Sequence, residues 1–174
     1  KVSIDLLGAF DVDKTRSYLH RRGIFSGDFY YAENFKEFVN TLVPNTFENV
    51  KYGEERIVIP LVRDGKLIGL QGRALSSNPV KYITIMIDEE APKIYGLDKI
   101  TRDKPIHIVE GPFDSTFLGN AVAMCGSDVS IESFDWSDYI WVLDNEPRNR
   151  EIVNRISKLI DRGDKVVIWP STVH

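Results

Sequence analysis

Hydrophobic positions fall into two textures along this chain, and the change comes near Pro105. Before it, helical spacing and hairpin-like runs dominate. A helix is predicted over Asp13–Arg22, with Asp13 placed to cap its start and Gly23 suited to a left-handed stop. A second is predicted over Glu33–Leu42, where Phe35, Phe38, Val39 and Leu42 share one face and Pro44 follows. Ile57–Val62 and Leu67–Leu70 read as strands around Asp64–Gly65, a hairpin turn signal. Val80–Ile87 reads as a third strand, and Ala91–Lys104 as a connector.

After Pro105, strands alternate with helices. Ile106–Glu110, Val122–Cys125, Tyr139–Asp144 and Lys165–Trp169 carry strand patterns. Asp114–Leu118 reads as a short helix, and Ile131–Trp136 as helix or irregular chain. Arg150–Asp161 is amphipathic, with Ile152, Val153, Ile156, Leu159 and Ile160 on its apolar face and Gly163 as its stop. Strands separated by helices imply a parallel sheet. The predicted fold is therefore α+β followed by α/β. An N-terminal mixed lobe spans residues 1–104, and a mainly parallel sheet flanked by helices spans 105–174.

Composition narrows the class only a little. The chain has 174 residues, 43% apolar and 28% charged, as in ordinary globular proteins. No apolar run reaches the length of a membrane span, so no membrane partner is expected. The start at Lys1 and the stop soon after Trp169 read as a piece of a longer protein. The single cysteine, Cys125, excludes an internal disulfide and a Cys-based zinc cage within this chain, and fits a reducing compartment. A formal net charge of −4 argues against a globally basic nucleic-acid binder. A local strip remains: Lys51, Arg56, Arg63, Lys66, Arg73 and Lys81 face only Glu54, Glu55 and Asp64 in the same stretch.

The candidate chemistry sits at two strand ends. The run Ile106–Val109 delivers Glu110, then Gly111 and Asp114; the run Ile140–Leu143 delivers Asp144 and Glu146. In open parallel sheets, ligands bind outside the C-terminal ends of the strands. Carboxylates converging there are costly to ionise together unless a divalent cation neutralises them. The pattern reads as a Mg²⁺ site, and Mg²⁺ points towards phosphate chemistry. An extended segment would turn Asp144 and Glu146 into one crevice and Asn145 away. The plainer alternative is that Glu110 only solvates a strand end and Asp114 complements a helix dipole.

Glu110–Gly111–x–x–Asp114 and Asp144–x–Glu146, in this strand–helix setting, resemble the Toprim fold of bacterial-type primases, topoisomerases and some nucleases. The upstream half resembles DnaG-type primases in particular. Ile59–Pro60–Leu61 followed by Asp64–Gly65–Lys66 and ending in Gly72–Arg73 is similar to that family's hairpin. Lys81–Tyr82, Tyr18–Leu19 with Arg22–Gly23–Ile24, and Tyr95–Gly96–Leu97 resemble its other ordered motifs. The ordered set covers nearly the whole chain and resembles the primases of T-even-type tailed phages. Three departures stand out. Asp144–Asn145–Glu146 replaces the usual Asp-x-Asp, Pro147–Arg148–Asn149 replaces an Ala-Gly, and the chain ends before a further acidic position. The family's zinc-binding module is absent from this chain.

The resemblance implies a primase catalytic core making short RNA primers on single-stranded DNA by nucleotidyl transfer. It implies Mg²⁺, with Mn²⁺ as a substitute, held by Glu110, Asp114, Asp144 and Glu146. Glu110, Asp144 and Glu146 would act in catalysis. Nucleic acid or triphosphate would meet Arg56, Arg63, Arg73, Lys81 and Tyr82, since a line of phosphates needs spaced cations and stacking surfaces. The alternative for these is a solvated sheet face. Implied partners are the DNA template, nucleoside triphosphates, the RNA primer and a replicative helicase, in the cytoplasm of a bacterial host if the protein is phage-encoded. Two rivals stand: a Toprim nuclease or topoisomerase relative, and a non-catalytic DNA-binding module. His20, His107 and His174 lack metal-ligand spacing. Cys125 and the tryptophans read as packing residues, and Gly126–Ser127–Asp128 as a turn able to approach a ligand.

Overall fold

The structure is a computed structural model that describes residues 2–126 and 129–171. The chain divides into two compact units, Lys1–Lys93 and Ile94–His174. The boundary therefore lies before residue 104, where the sequence placed it. The reason is a short strand inside the expected connector: Ile94–Tyr95 pairs antiparallel with Ala123 and Met124 and so belongs to the second sheet.

The first unit is an antiparallel sheet of strands β1 (Leu7–Gly8), β2 (Tyr30–Ala32), β3 (Arg56–Arg63), β4 (Lys66–Ala74) and β5 (Tyr82–Met86), in that order. Helix α1 (Asp13–Arg21) lies between β1 and β2 in the chain, and α2 (Phe35–Leu42) between β2 and β3. Asp13 is the first residue of α1 rather than its cap, while Asn34 caps α2 through the Glu37 N–H. The β3–β4 hairpin turns at Asp64 and Gly65, with φ of +51° and +75°. Positive φ at both central residues is what a tight hairpin matching the sheet's twist requires. Side chains alternate across a strand. Val58 and Leu70 therefore pack with Ala32, Phe35 and Val39 in the core under α2, while Arg73 points to the other face and reaches Tyr18 of α1.

One charged residue sits inside this unit. Arg56 is fully buried. Its Nε and Nη2 donate to Glu54, its Nη1 to the carbonyls of Gly72 (3.0 Å) and Lys81 (3.2 Å), and its Nη2 also to that of Val80 (2.8 Å). All five donors of a guanidinium are used by this arrangement. Its plane also lies over Phe35, 5.6 Å from the ring centre. Arg56 was expected to touch nucleic acid; it instead ties β3 to β4 and to the start of β5.

The second unit holds strands β6 (Ile94–Tyr95), β7 (Ile106–Val109), β8 (Ala121–Met124), β9 (Tyr139–Trp141) and β10 (Lys165–Val166) in the order β10-β9-β7-β8-β6. All pairings except β6 with β8 are parallel. Helix α3 (Pro112–Ser115) follows β7, and α4 (Arg150–Asp161) lies between β9 and β10. The predicted span of α4 matches the structure, and Asn149 caps it. The segment 131–136 contains a short 3₁₀ turn at Ile131–Ser133. Ile106, Ile108, Val122, Trp141, Leu143 and Leu159 anchor the core.

Replacing Arg56 by Ala should destabilise the first unit strongly. It leaves the Glu54 carboxylate and three carbonyls without their buried donor, a change of about 3–5 kcal/mol by comparison with other broken buried pairs. Urea unfolding followed by circular dichroism measures this, and a loss within about 0.5 kcal/mol would place Arg56 among ordinary surface cations.

Candidate functional site

The parallel register of β7 and β9 decides where the acids go. Ile106 pairs with Tyr139 and Ile108 with Trp141. The Val142 N–H then continues the ladder to the Ile108 carbonyl at 2.8 Å. Glu110 and Asp144 therefore leave the sheet at the same C-terminal edge, and Glu110 Oε2 accepts the Asp144 N–H at 3.1 Å. The other oxygen, Oε1, lies 3.6 Å from Arg155 Nη1 of α4. Trp169, read from the sequence as packing, holds this edge as well: its indole N–H donates to the Leu143 carbonyl at 2.8 Å.

Charge at this edge follows from burial and neighbours. Burial pushes the Glu110 carboxyl above its ordinary value. The Asp144 N–H works against that, the Asp144 carboxylate adds to it, and Arg155 again opposes it. Asp114 sits in the first turn of α3, folded back over Gly111, where a Cβ would come within 2.9 Å of Asp114 Oδ2. A side chain at Gly111 would make the Asp114 carboxylate shift.

Glu146 departs from expectation. The segment after β9 is not extended: the Glu146 N–H turns back to the Asp144 carbonyl at 2.9 Å, and Glu146 Oε2 accepts from the Asn149 side chain at 2.7 Å. The helix cap thus draws Glu146 towards α4. Among the described residues, no three acidic, His or Cys side chains form a group able to hold a metal ion. Of the four acids expected to gather, Glu110 and Asp144 are in direct contact.

A second cluster lies on the first unit. The β4–β5 register sets Arg73 opposite Tyr82, and the Arg73 guanidinium lies 4.9 Å from the Tyr82 ring centre. Arg73 Nε donates to Tyr18 Oη at 2.9 Å, and Arg22 Nη1 donates to the same oxygen at 3.1 Å. Burial raises the Tyr18 phenol, and the bonds from Arg73 and Arg22 outweigh it, so the net shift is downward. Burial likewise raises Tyr82, with Arg73 opposing. Tyr82 remains 40% exposed. Arg63 and Lys81 are exposed, Arg63 beside the hairpin turn and Lys81 just before β5. Tyr18 and Arg22 were not among the expected contact residues. The signal was their spacing of four on a helix, which puts them on one face.

The remaining candidates are structural. His107 Nδ1 lies 3.0 Å from the Gly119 carbonyl. Burial pushes the Cys125 thiol up to about 12. Of Gly126–Ser127–Asp128, the last two lie outside the described residues.

Comparison with known proteins bears on the family and the fold. No family model matches the chain. It is 38% identical over 143 residues to the DNA primase of Enterobacteria phage T4, which covers 80% of this chain. The chain is related to the DNA primases of T4-type phages. It spans 41% of the length of the phage T4 primase. The fold is that of the DnaG catalytic core. The Escherichia coli primase catalytic core superposes with a TM-score of 0.67 at 19% identity, covering 95% of this chain and 69% of that one. A DnaG primase catalytic domain bound to single-stranded DNA gives 0.67 at 18% identity, covering 97% and 68%. A DNA primase domain from Pseudomonas aeruginosa gives 0.67 at 19%, with the same coverage of 97% and 68%.

The Cys125 thiol should be inert in the folded chain. With a pKa near 12 its thiolate fraction at pH 8 is on the order of 10⁻⁴, and reactivity rises about tenfold per pH unit until the pKa is reached. Labelling with a thiol-disulfide reagent at pH 8 should be slow before unfolding and rapid after it; equal rates would show the site to be open.

Proposed function

We propose that this chain is the polymerising core of a primase, joining ribonucleotides into short RNA primers on single-stranded DNA. The observation that carries the reading is the Glu110–Asp144 pair at the C-terminal edge of a parallel sheet, in a relative of the T4-type primases. The reaction is nucleotidyl transfer: a ribose 3′-hydroxyl attacks the α-phosphate of a nucleoside triphosphate, and pyrophosphate leaves.

The donors at this edge suit a hard divalent cation. Carboxylate oxygens fit Mg²⁺, which commonly takes one or two of them and completes its shell with water and phosphate oxygens; Mn²⁺ suits the same donors. Asp144 would hold it, with Glu146, Glu110 and Asp114 as further ligands or as groups orienting ligands. Held by these residues, Mg²⁺ would supply a lower pKa for an attacking hydroxyl and charge stabilisation for the leaving pyrophosphate. Glu110 would be the group to take the proton of the 3′-hydroxyl. In this reading Glu146 keeps a second carboxylate oxygen for the metal while Oε2 accepts the Asn149 amide.

The template and triphosphate meet the first unit. Arg73, Lys81 and Arg63 supply charge, and Tyr82 supplies a face for stacking. Arg22 and Tyr18 join them through Arg73. A nucleoside triphosphate, a DNA template, an RNA primer and a replicative helicase are the proposed partners. No helix among the described residues is long and apolar enough to cross a membrane, and the proposed setting is the cytoplasm of a bacterial host.

Asp144→Ala should abolish primer synthesis and leave the fold intact, because Asp144 is exposed and contributes no core volume. Labelled ribonucleotides on single-stranded DNA with Mg²⁺ or Mn²⁺ measure this, with cleavage of the template scored in parallel. Normal synthesis by that variant refutes the site, and metal-dependent cleavage without synthesis makes the chain a nuclease.

Arg73→Ala and Lys81→Ala should each weaken binding to single-stranded DNA. Each lost phosphate contact should make the plot of log affinity against log salt shallower by about 0.7. Unchanged affinity and slope in both variants, with no rise in the Michaelis constant for nucleotides, would reduce the strip to a solvated face.

A further inference from the structure

The carboxylate of Glu110 is gripped from two sides. Oε2 takes the Asp144 N–H from beyond β9, and Oε1 faces Arg155 from α4. Arg155 is itself fixed. Its guanidinium lies 5.5 Å from the centre of the Trp141 ring, and Trp141 is only 3% exposed, with its indole N–H donating to Asp164 at 3.1 Å. Stacking on an indole holds a guanidinium better than any other ring contact. Glu110 and Arg155 border one cleft of about 470 Å³, together with Lys158. The side chains of Arg155 and Glu110 are 32% and 22% exposed. The pair is therefore sheltered more than a typical surface ion pair, whose net contribution is small.

We propose that Arg155 is a positioning residue for the polymerising reaction: it fixes the Glu110 carboxylate against the Asp144 backbone and acts as the resident counter-ion of the acidic edge. The proposal rests on the reading of that edge given above. It assigns Arg155 two opposed effects. By fixing Glu110 it favours the geometry of reaction, since small misplacements of a catalytic group are costly in rate. By adding a positive charge beside the same carboxylates it opposes a divalent cation. A residue that merely packed on Trp141 would show neither effect.

The two effects separate in Arg155→Gln, which keeps polarity and loses charge. Mn²⁺ binding to the chain without nucleotide, followed by electron paramagnetic resonance, should tighten by roughly threefold to tenfold. Turnover at saturating Mn²⁺ should fall about tenfold, with the Michaelis constant for nucleotides little changed. Arg155→Lys keeps the charge but not the planar fork, so Mn²⁺ affinity should return to the original value while turnover recovers only in part. Unchanged or weaker Mn²⁺ binding in the Gln variant, or unchanged turnover, overturns the proposal. If the Gln variant does not fold, the Lys variant decides: full turnover in it overturns the proposal. Asp144→Ala run alongside separates the two levels of inference. Loss of Mn²⁺ binding in that variant upholds the acidic edge whatever Arg155 does, and retention of both binding and synthesis removes the edge itself as the site.

Discussion

Parallel pairing of β7 with β9 is the constraint on which the acidic edge depends. Two neighbouring strands that run the same way must release their following residues on the same side of the sheet. The pairing of Ile108 with Trp141 fixes the offset, and the Asp144 N–H then falls within reach of the Glu110 side chain. A register slip of one residue would turn the apolar side chains of β7 and β9 to the wrong face. Ile106, Ile108 and Trp141 are buried, so the core opposes that slip. Packing of the hydrophobic layer and placement of the carboxylates are thus one event, and the site needs no separate scaffold.

The two units bring charge to the surface by different means. In the second, carboxylates are concentrated at a strand edge and partly balanced by Arg155. In the first, cations are interleaved with tyrosine rings. Arg22 and Arg73 share the Tyr18 oxygen, and Arg73 stacks on Tyr82. Like charges held so close raise each other's energy, and the shared phenol oxygen, whose pKa is drawn down, offsets part of that.

Much of this was legible in the sequence because it depends on local pattern. The apolar stripe of α4 and the Asp64–Gly65 turn follow from spacing and backbone chemistry, and both stand in the structure. The alternation after Pro105 was enough to expect parallel pairing. What failed was non-local. Ile94–Tyr95 is too short to register as a strand and becomes one only by lying against β8. Arg56 looks like any surface cation until its five hydrogen bonds, to Glu54 and three carbonyls, are seen. The spacing of Asp144 and Glu146 suggested a common direction only for an extended chain, and the cap of α4 bends it. Tyr18 and Arg73, 55 residues apart, meet only after the sheet and helix have packed.

The burial of Arg56 reaches beyond stability. Its guanidinium holds the carbonyls of Gly72, Val80 and Lys81, which flank the side chains of Arg73, Lys81 and Tyr82. The oxygens of these carbonyls are turned onto the buried guanidinium. The strands carrying the outer cations are stiffened before any ligand arrives. Binding to a pre-organised surface loses less conformational entropy than binding to a mobile one. On the proposed reading, a flexible single strand binding there would supply nearly all the ordering itself.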